Sequence, residues 1–184
     1  MPNPIINRLI RRPTGSNQFA YMVRVAAGQT TTPKFTFAAG ALPAFIDWGD
    51  GTARTAATST TEYTHTYTAA GDYKVTLAMP NQVAKLTQVD ISTDKVLSVL
   101  TPIQTFQALT LFFGYTNAAW VQNISNWVLT STLRQLRLEI TGLFGNIEGW
   151  NVSNLTYFAI ETSGLYTGNV TNWAFSSVCT NVSF

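Results

Sequence analysis

Asp47, Asp50 and His65, the only histidine of the 184-residue chain, are the residues whose types invite a chemical reading. Two carboxylates three residues apart could share calcium, but that ion takes about six to eight oxygens, of which these supply few. In Gly49-Asp50-Gly51-Thr52 the simpler role for Asp50 is to hydrogen-bond backbone amides across a turn whose glycines accept unusual angles. His65 has no second histidine and no adjacent nucleophile, so acid–base work has no partner, and one local hydrogen bond is expected instead. Cys179 is the only cysteine; at an apolar strand position it reads as a small core residue. No paired catalytic carboxylates, Ser/His/Asp set, metal-ligand cluster or phosphate loop can be assembled. The expectation is a protein that is not an enzyme and carries no cofactor or metal.

What remains is binding chemistry, and a repeat must position it. Asn123-Ile-Ser-Asn-Trp127, Asn146-Ile-Glu-Gly-Trp150 and Asn169-Val-Thr-Asn-Trp173 begin 23 residues apart. Between them runs an apolar pattern with two and then one intervening residues: Leu133/Leu136/Leu138 and Leu155/Phe158/Ile160. It extends backward to Phe106/Leu109/Leu111 and Leu86/Val89/Ile91, and forward to Cys179/Val182/Phe184. These five units resemble the leucine-rich repeat, whose units bury their apolar sides only by stacking. The identical phase of Trp127, Trp150 and Trp173 argues for an interior row rather than a carbohydrate-stacking one. Asn123, Asn146 and Asn169 are expected to form a ladder that satisfies backbone groups of the next turn.

The first half reads as short strands at 19–25, 34–37, 44–48, 62–67 and 72–79, a spacing that suggests a β-sandwich. Phe45-Ile-Asp-Trp-Gly-Asp-Gly-Thr52, then His65-Thr-Tyr67 and Gly71-Asp-Tyr-Lys-Val-Thr-Leu77, resemble the PKD domain. That resemblance implies an immunoglobulin-like sandwich of the kind found mostly on extracellular and surface proteins. Trp48 should then fill the space between sheets, with Tyr67 and Tyr73 packing nearby and offering hydroxyls to the backbone. The expected fold is mostly β: a basic N-terminal docking arm at 1–16, a PKD-like sandwich at 17–80 and a leucine-rich-repeat-like β-solenoid at 81–184.

Strand alternation turns the residues between the apolar positions outward. The binding face expected on this basis comprises Asp90, Phe112, Gln135, Arg137, Glu139, Tyr157 and Glu161; the competing reading leaves Arg137, Glu139 and Glu161 as exposed ion pairs of little energy. Arg8, Arg11 and Arg12 give the arm a net +3 against +2 for the whole chain, beside the apolar Ile5, Ile6, Leu9 and Ile10. Without interleaved aromatics and on a nearly neutral body, these arginines suit protein docking better than nucleic acid.

After Val96 only Arg134, Arg137, Glu139, Glu148 and Glu161 are charged, yet no stretch approaches the roughly 20 apolar residues that cross a bilayer. Membrane insertion is therefore not expected. The N-terminal residues lack the regions of a secretory signal, and no capping unit follows the last repeat. Modules of the PKD and immunoglobulin-like kinds occur on bacteriophage heads and tails, so the resemblance, taken with the missing secretory signal, implies a bacteriophage virion component made in the host cytoplasm: a capsid decoration, head-fibre or tail protein. It would engage other virion or surface proteins through the arm and the open C-terminal repeat, with a host glycan or surface protein and a second copy as further candidate partners. The alternative is an extracellular or cell-surface protein, a secreted bacterial adhesin or a carbohydrate-binding accessory module.

Overall fold

The computed structural model describes residues 17–41, 43–58, 61–80, 85–92, 95–114, 120–138, 142–160 and 165–183. The docking arm with Arg8, Arg11 and Arg12, and the face residues Glu139 and Glu161, lie outside them.

Strands β1 (Gln18–Val25), β2 (Thr30–Thr31), β3 (Lys34–Phe37), β4 (Ala44–Asp47), β5 (Thr55–Ala57), β6 (Thr61–Glu62), β7 (His65–Thr66) and β8 (Gly71–Ala78) come first. β9 (Leu86–Asp90) and β10 (Val96–Val99) follow. One sandwich sheet has the order β10-β1-β8-β4-β5, and the opposing one is built on β9-β3-β6. Alternation explains the core: on β1, Phe19, Tyr21, Val23 and Val25 point inward and are buried, while Arg24 faces solvent. Fully burying each such side chain is worth about 1.5–3 kcal/mol.

The sandwich does not stop at residue 80, where the sequence suggests a boundary. β9 pairs antiparallel with β3 on one side and parallel with β11 (Leu111–Phe113) on the other. From there β13 (Gln135–Arg137), β15 (Tyr157–Ala159) and β17 (Asn181–Ser183) add in parallel, giving the seven-stranded order β17-β15-β13-β11-β9-β3-β6. On the far side of each turn, β12 (Val121–Asn123), β14 (Gly142–Asn146) and β16 (Leu165–Thr167) form a second parallel sheet. The second half is thus a β-solenoid of about four turns, with short strands on its far side.

Val89, Phe112, Leu136 and Phe158 occupy equivalent inward positions and are fully buried. Val182, their counterpart in β17, is 43% exposed; among the described residues β17 has a strand neighbour only at β15. The register corrects the sequence reading of the second unit. Its inward residue is Phe112, not Leu111, because Leu109, Leu111, Phe112 and Phe113 are all apolar and periodicity cannot choose among them. Backbone pairing to Val89 and Leu136 makes the choice.

The turns repeat as the strands do. Trp127, Trp150 and Trp173 each donate a backbone N–H to the residue three before, Ile124, Ile147 or Val170. Trp127 and Trp150 are buried; Trp173 is half-buried, its ring parallel to that of Trp150 with centroids 6.4 Å apart. Asn123, Asn146 and Asn169 accept from the backbone N–H two residues on, at 2.9 Å in each case, so each stabilises its own turn rather than the next. Close stacking shows in Gly145, at φ +123°, where a Cβ would collide with Asn123 and Ser125 of the preceding turn. Threonines bind successive turns at the strand entrances: Thr110 Oγ1 donates to the Thr87 carbonyl, and Thr156 Oγ1 to that of Arg134. The lone Cys179 is half-buried, its Sγ 3.2 Å from the Asn181 carbonyl oxygen.

One core spans both halves. The ring of Phe19 meets Phe35 of the sandwich at 6.1 Å and Phe106 and Phe112 of the solenoid at 5.8 and 6.4 Å. A side chain joins the five-stranded sheet to the far-side sheet of the solenoid. Gln122 on β12 accepts from the Val99 N–H and donates to the Val99 carbonyl, both at 2.8 Å, as a neighbouring strand would. The same Oε1 accepts from Trp120 Nε1 at 2.8 Å.

Candidate functional site

Two places gather polar and aromatic side chains. The first is the turn after β4. Trp48 is buried and lies flat on His65, with centroids 4.7 Å apart and planes at 9°; His65 meets Tyr67 edge-on, and Tyr67 stacks on Tyr73. Trp48 Nε1 donates to Thr55 Oγ1, Tyr67 donates its hydroxyl to the Trp48 carbonyl, and Tyr73 to that of Ala69. Gly49, at φ +81°, packs so closely on Lys74 that a Cβ would meet its carbonyl oxygen at 2.5 Å.

Asp50 Oδ2 lies 2.7 Å from His65 Nε2, and its Oδ1 accepts from the Thr52 hydroxyl and N–H. An ionised carboxylate only accepts, so the imidazole donates from Nε2. Burial would raise the Asp50 carboxyl, but the bonds from Thr52 and His65 outweigh it and hold it at about 2. Asp47 accepts from the Gly49 N–H and from Arg54 Nε. Both carboxylates therefore fasten the turn, and no group of three metal-ligating side chains forms among the described residues.

The second place is the outer face of the seven-stranded sheet. Backbone register lines up Thr36, Gln88, Leu111, Gln135, Tyr157 and Asn181 in one row. A second row holds Glu62, Lys34, Asp90, Phe113, Arg137, Ala159 and Ser183. Apart from exposed Glu62 and buried Ala159, these side chains are half-buried. Thr36 Oγ1 donates to Gln88 Oε1, and Asp90 Oδ1 accepts from the Ser92 N–H and hydroxyl, which fixes the carboxylate.

Of the face residues expected from the sequence, Asp90, Gln135, Arg137 and Tyr157 stand on this surface together. Phe112 does not: it is a fully buried inward residue, and its neighbours Leu111 and Phe113 take the outward positions. The sequence reading also missed Lys34, Thr36 and Glu62, because β3 pairs with β9 across about 50 positions of sequence and brings β6 with it.

Residues 16–92 match the family model for the PKD domain. This segment is a PKD domain. The match ends just beyond β9, so the strand that closes the PKD domain also opens the solenoid. The stacked Trp48, His65, Tyr67 and Tyr73 belong to its structural interior, whereas the outward rows combine PKD and solenoid residues. No curated protein and no solved structure matches the chain significantly. Among the described residues, no helix is long and apolar enough to cross a membrane.

Proposed function

We propose that this is a non-catalytic surface or adhesion-type protein that meets its partner on the outer face of the seven-stranded sheet. A PKD domain fits such a protein. The observation that carries the placement is the alignment of polar, charged and aromatic side chains in two registered rows that cross from the PKD domain into the solenoid. Neighbouring strands hold these groups about 4.8 Å apart on a rigid surface, which lowers the ordering cost of binding. The carboxylate–imidazole pair at Asp50 and His65 serves the turn, and this supports a binding role over a catalytic one.

In its finer form the proposal is a bacteriophage virion component, a capsid decoration, head-fibre or tail protein assembled in the host cytoplasm. Support comes from the arm, whose Arg8, Arg11 and Arg12 stand on a body with few charges and suit attachment to a larger particle. A secreted bacterial adhesin or carbohydrate-binding accessory module would use the same face.

The face is tested by incubating labelled protein with a panel of intact bacterial cells, alongside a Gln135→Ala/Arg137→Ala/Tyr157→Ala variant. The expected result is at least a tenfold loss of bound protein in the variant, with its melting transition retained. Equal binding by the two proteins would remove the placement.

A further inference from the structure

We infer that the outer face binds a neutral polysaccharide laid across the strands; this rests on the binding face proposed above and names its ligand class. Charge gives the first argument. Glu62, Lys34, Asp90 and Arg137 lie in one row, with Lys34 in register with both Glu62 and Asp90. Two charges of each sign balance within this row of described residues, so it presents no single-sign patch for nucleic acid, an acidic glycan or a strongly charged peptide. Hydrogen bonding gives the second. Thr36, Gln88, Gln135, Asn181 and Ser183 are uncharged groups that both donate and accept, as sugar hydroxyls do.

The aromatic groups give the third argument. Phe113 on β11 and Tyr157 on β15 are outward and half-buried, separated by β13. They stand in different rows, so two strand spacings across the sheet and two residues along it put them about 12 Å apart on a diagonal. Each offers an apolar ring to the C–H face of a pyranose, and Gln135 and Arg137 on the intervening strand stand where the hydroxyls of the sugar between them would fall. Side chains wedged half-buried between strands lose little freedom on binding, which favours weakly interacting, repetitive ligands. A tight protein interface favours a more apolar, charge-depleted centre around buried anchors, and the alternating polar and charged positions here do not supply one.

The test is affinity electrophoresis of the full chain in native gels containing hydroxyethylcellulose, galactomannan, mannan or dextran, with alginate as the charged comparison. At least one neutral polymer is expected to retard the protein. Tyr157→Ala should weaken that retardation at least tenfold and Tyr157→Phe less than twofold, because the ring supplies the stacking surface. Gln135→Ala should weaken it several-fold, which covers the case in which Tyr157→Ala fails to fold; Val128→Ser, at an exposed turn, should leave it unchanged. The inference is overturned if no neutral polymer retards the protein, if only alginate does, or if Tyr157→Ala, folded, is retarded as strongly as wild type. Loss of cell binding in the triple variant without polysaccharide retardation would keep the face and remove the sugar. Undiminished cell binding by the triple variant would remove both.

Discussion

Asp50 shows how one side chain can look reactive in sequence and be structural in place. Its carboxylate is ionised, largely enclosed, and committed to Thr52 and His65, while Trp48 covers the imidazole. Because its folded pKa of about 2 lies below the ordinary value of 3.8, the stability it contributes is present above about pH 4 and lost as pH falls toward 2. Asp50→Asn should therefore flatten the decline in melting temperature between pH 4 and 2, and at pH 7 cost about 1–3 kcal/mol through weakened bonds. The exposed Asp72, lowered by its bond to Arg24, acts in the same direction. The difference between variant and wild-type curves isolates Asp50; parallel curves from pH 5 to 2 would show that its ionisation does not stabilise the turn.

At the scale of strands and turns, legibility followed the uniqueness of the signal. The recurring Asn and Trp could be read because one large aromatic per unit at constant phase has few alternatives, and Trp127 and Trp150 are indeed interior. The phase around Phe112 could not be read, since four apolar residues within five positions permit more than one alternation. Gln135, Arg137 and Tyr157 were legible as outward because each flanks an unambiguous inward residue, Leu136 or Phe158. Lys34 and Glu62 were not, since strand order is set by long-range pairing that leaves no local pattern. Gln122 was equally silent: its amide completes the Val99 backbone and accepts from Trp120, a role visible only with all three groups in space. Gln122→Ala should leave buried donors and an acceptor unpaired and cost about 2–4 kcal/mol, read from chemical denaturation. A loss below about 0.5 kcal/mol would mean water replaces the amide.

At the scale of the molecule, β9 makes two recognisable modules into one body. It completes the PKD domain through β3, begins the solenoid through β11, and places Val89 in a core shared with Phe19, Phe35 and Phe112. Repeat arrays can unfold piecemeal because each unit contacts only its neighbours, but a shared strand and continuous core oppose separation here. The proposed binding face depends on that unity, since its rows begin in one module and end in the other. Differential scanning calorimetry of the intact chain tests this most directly. The account predicts a single transition with calorimetric and van't Hoff enthalpies in agreement, shifted as a whole by Val89→Ala; two resolved transitions, only one of them moved by Val89→Ala, would contradict it.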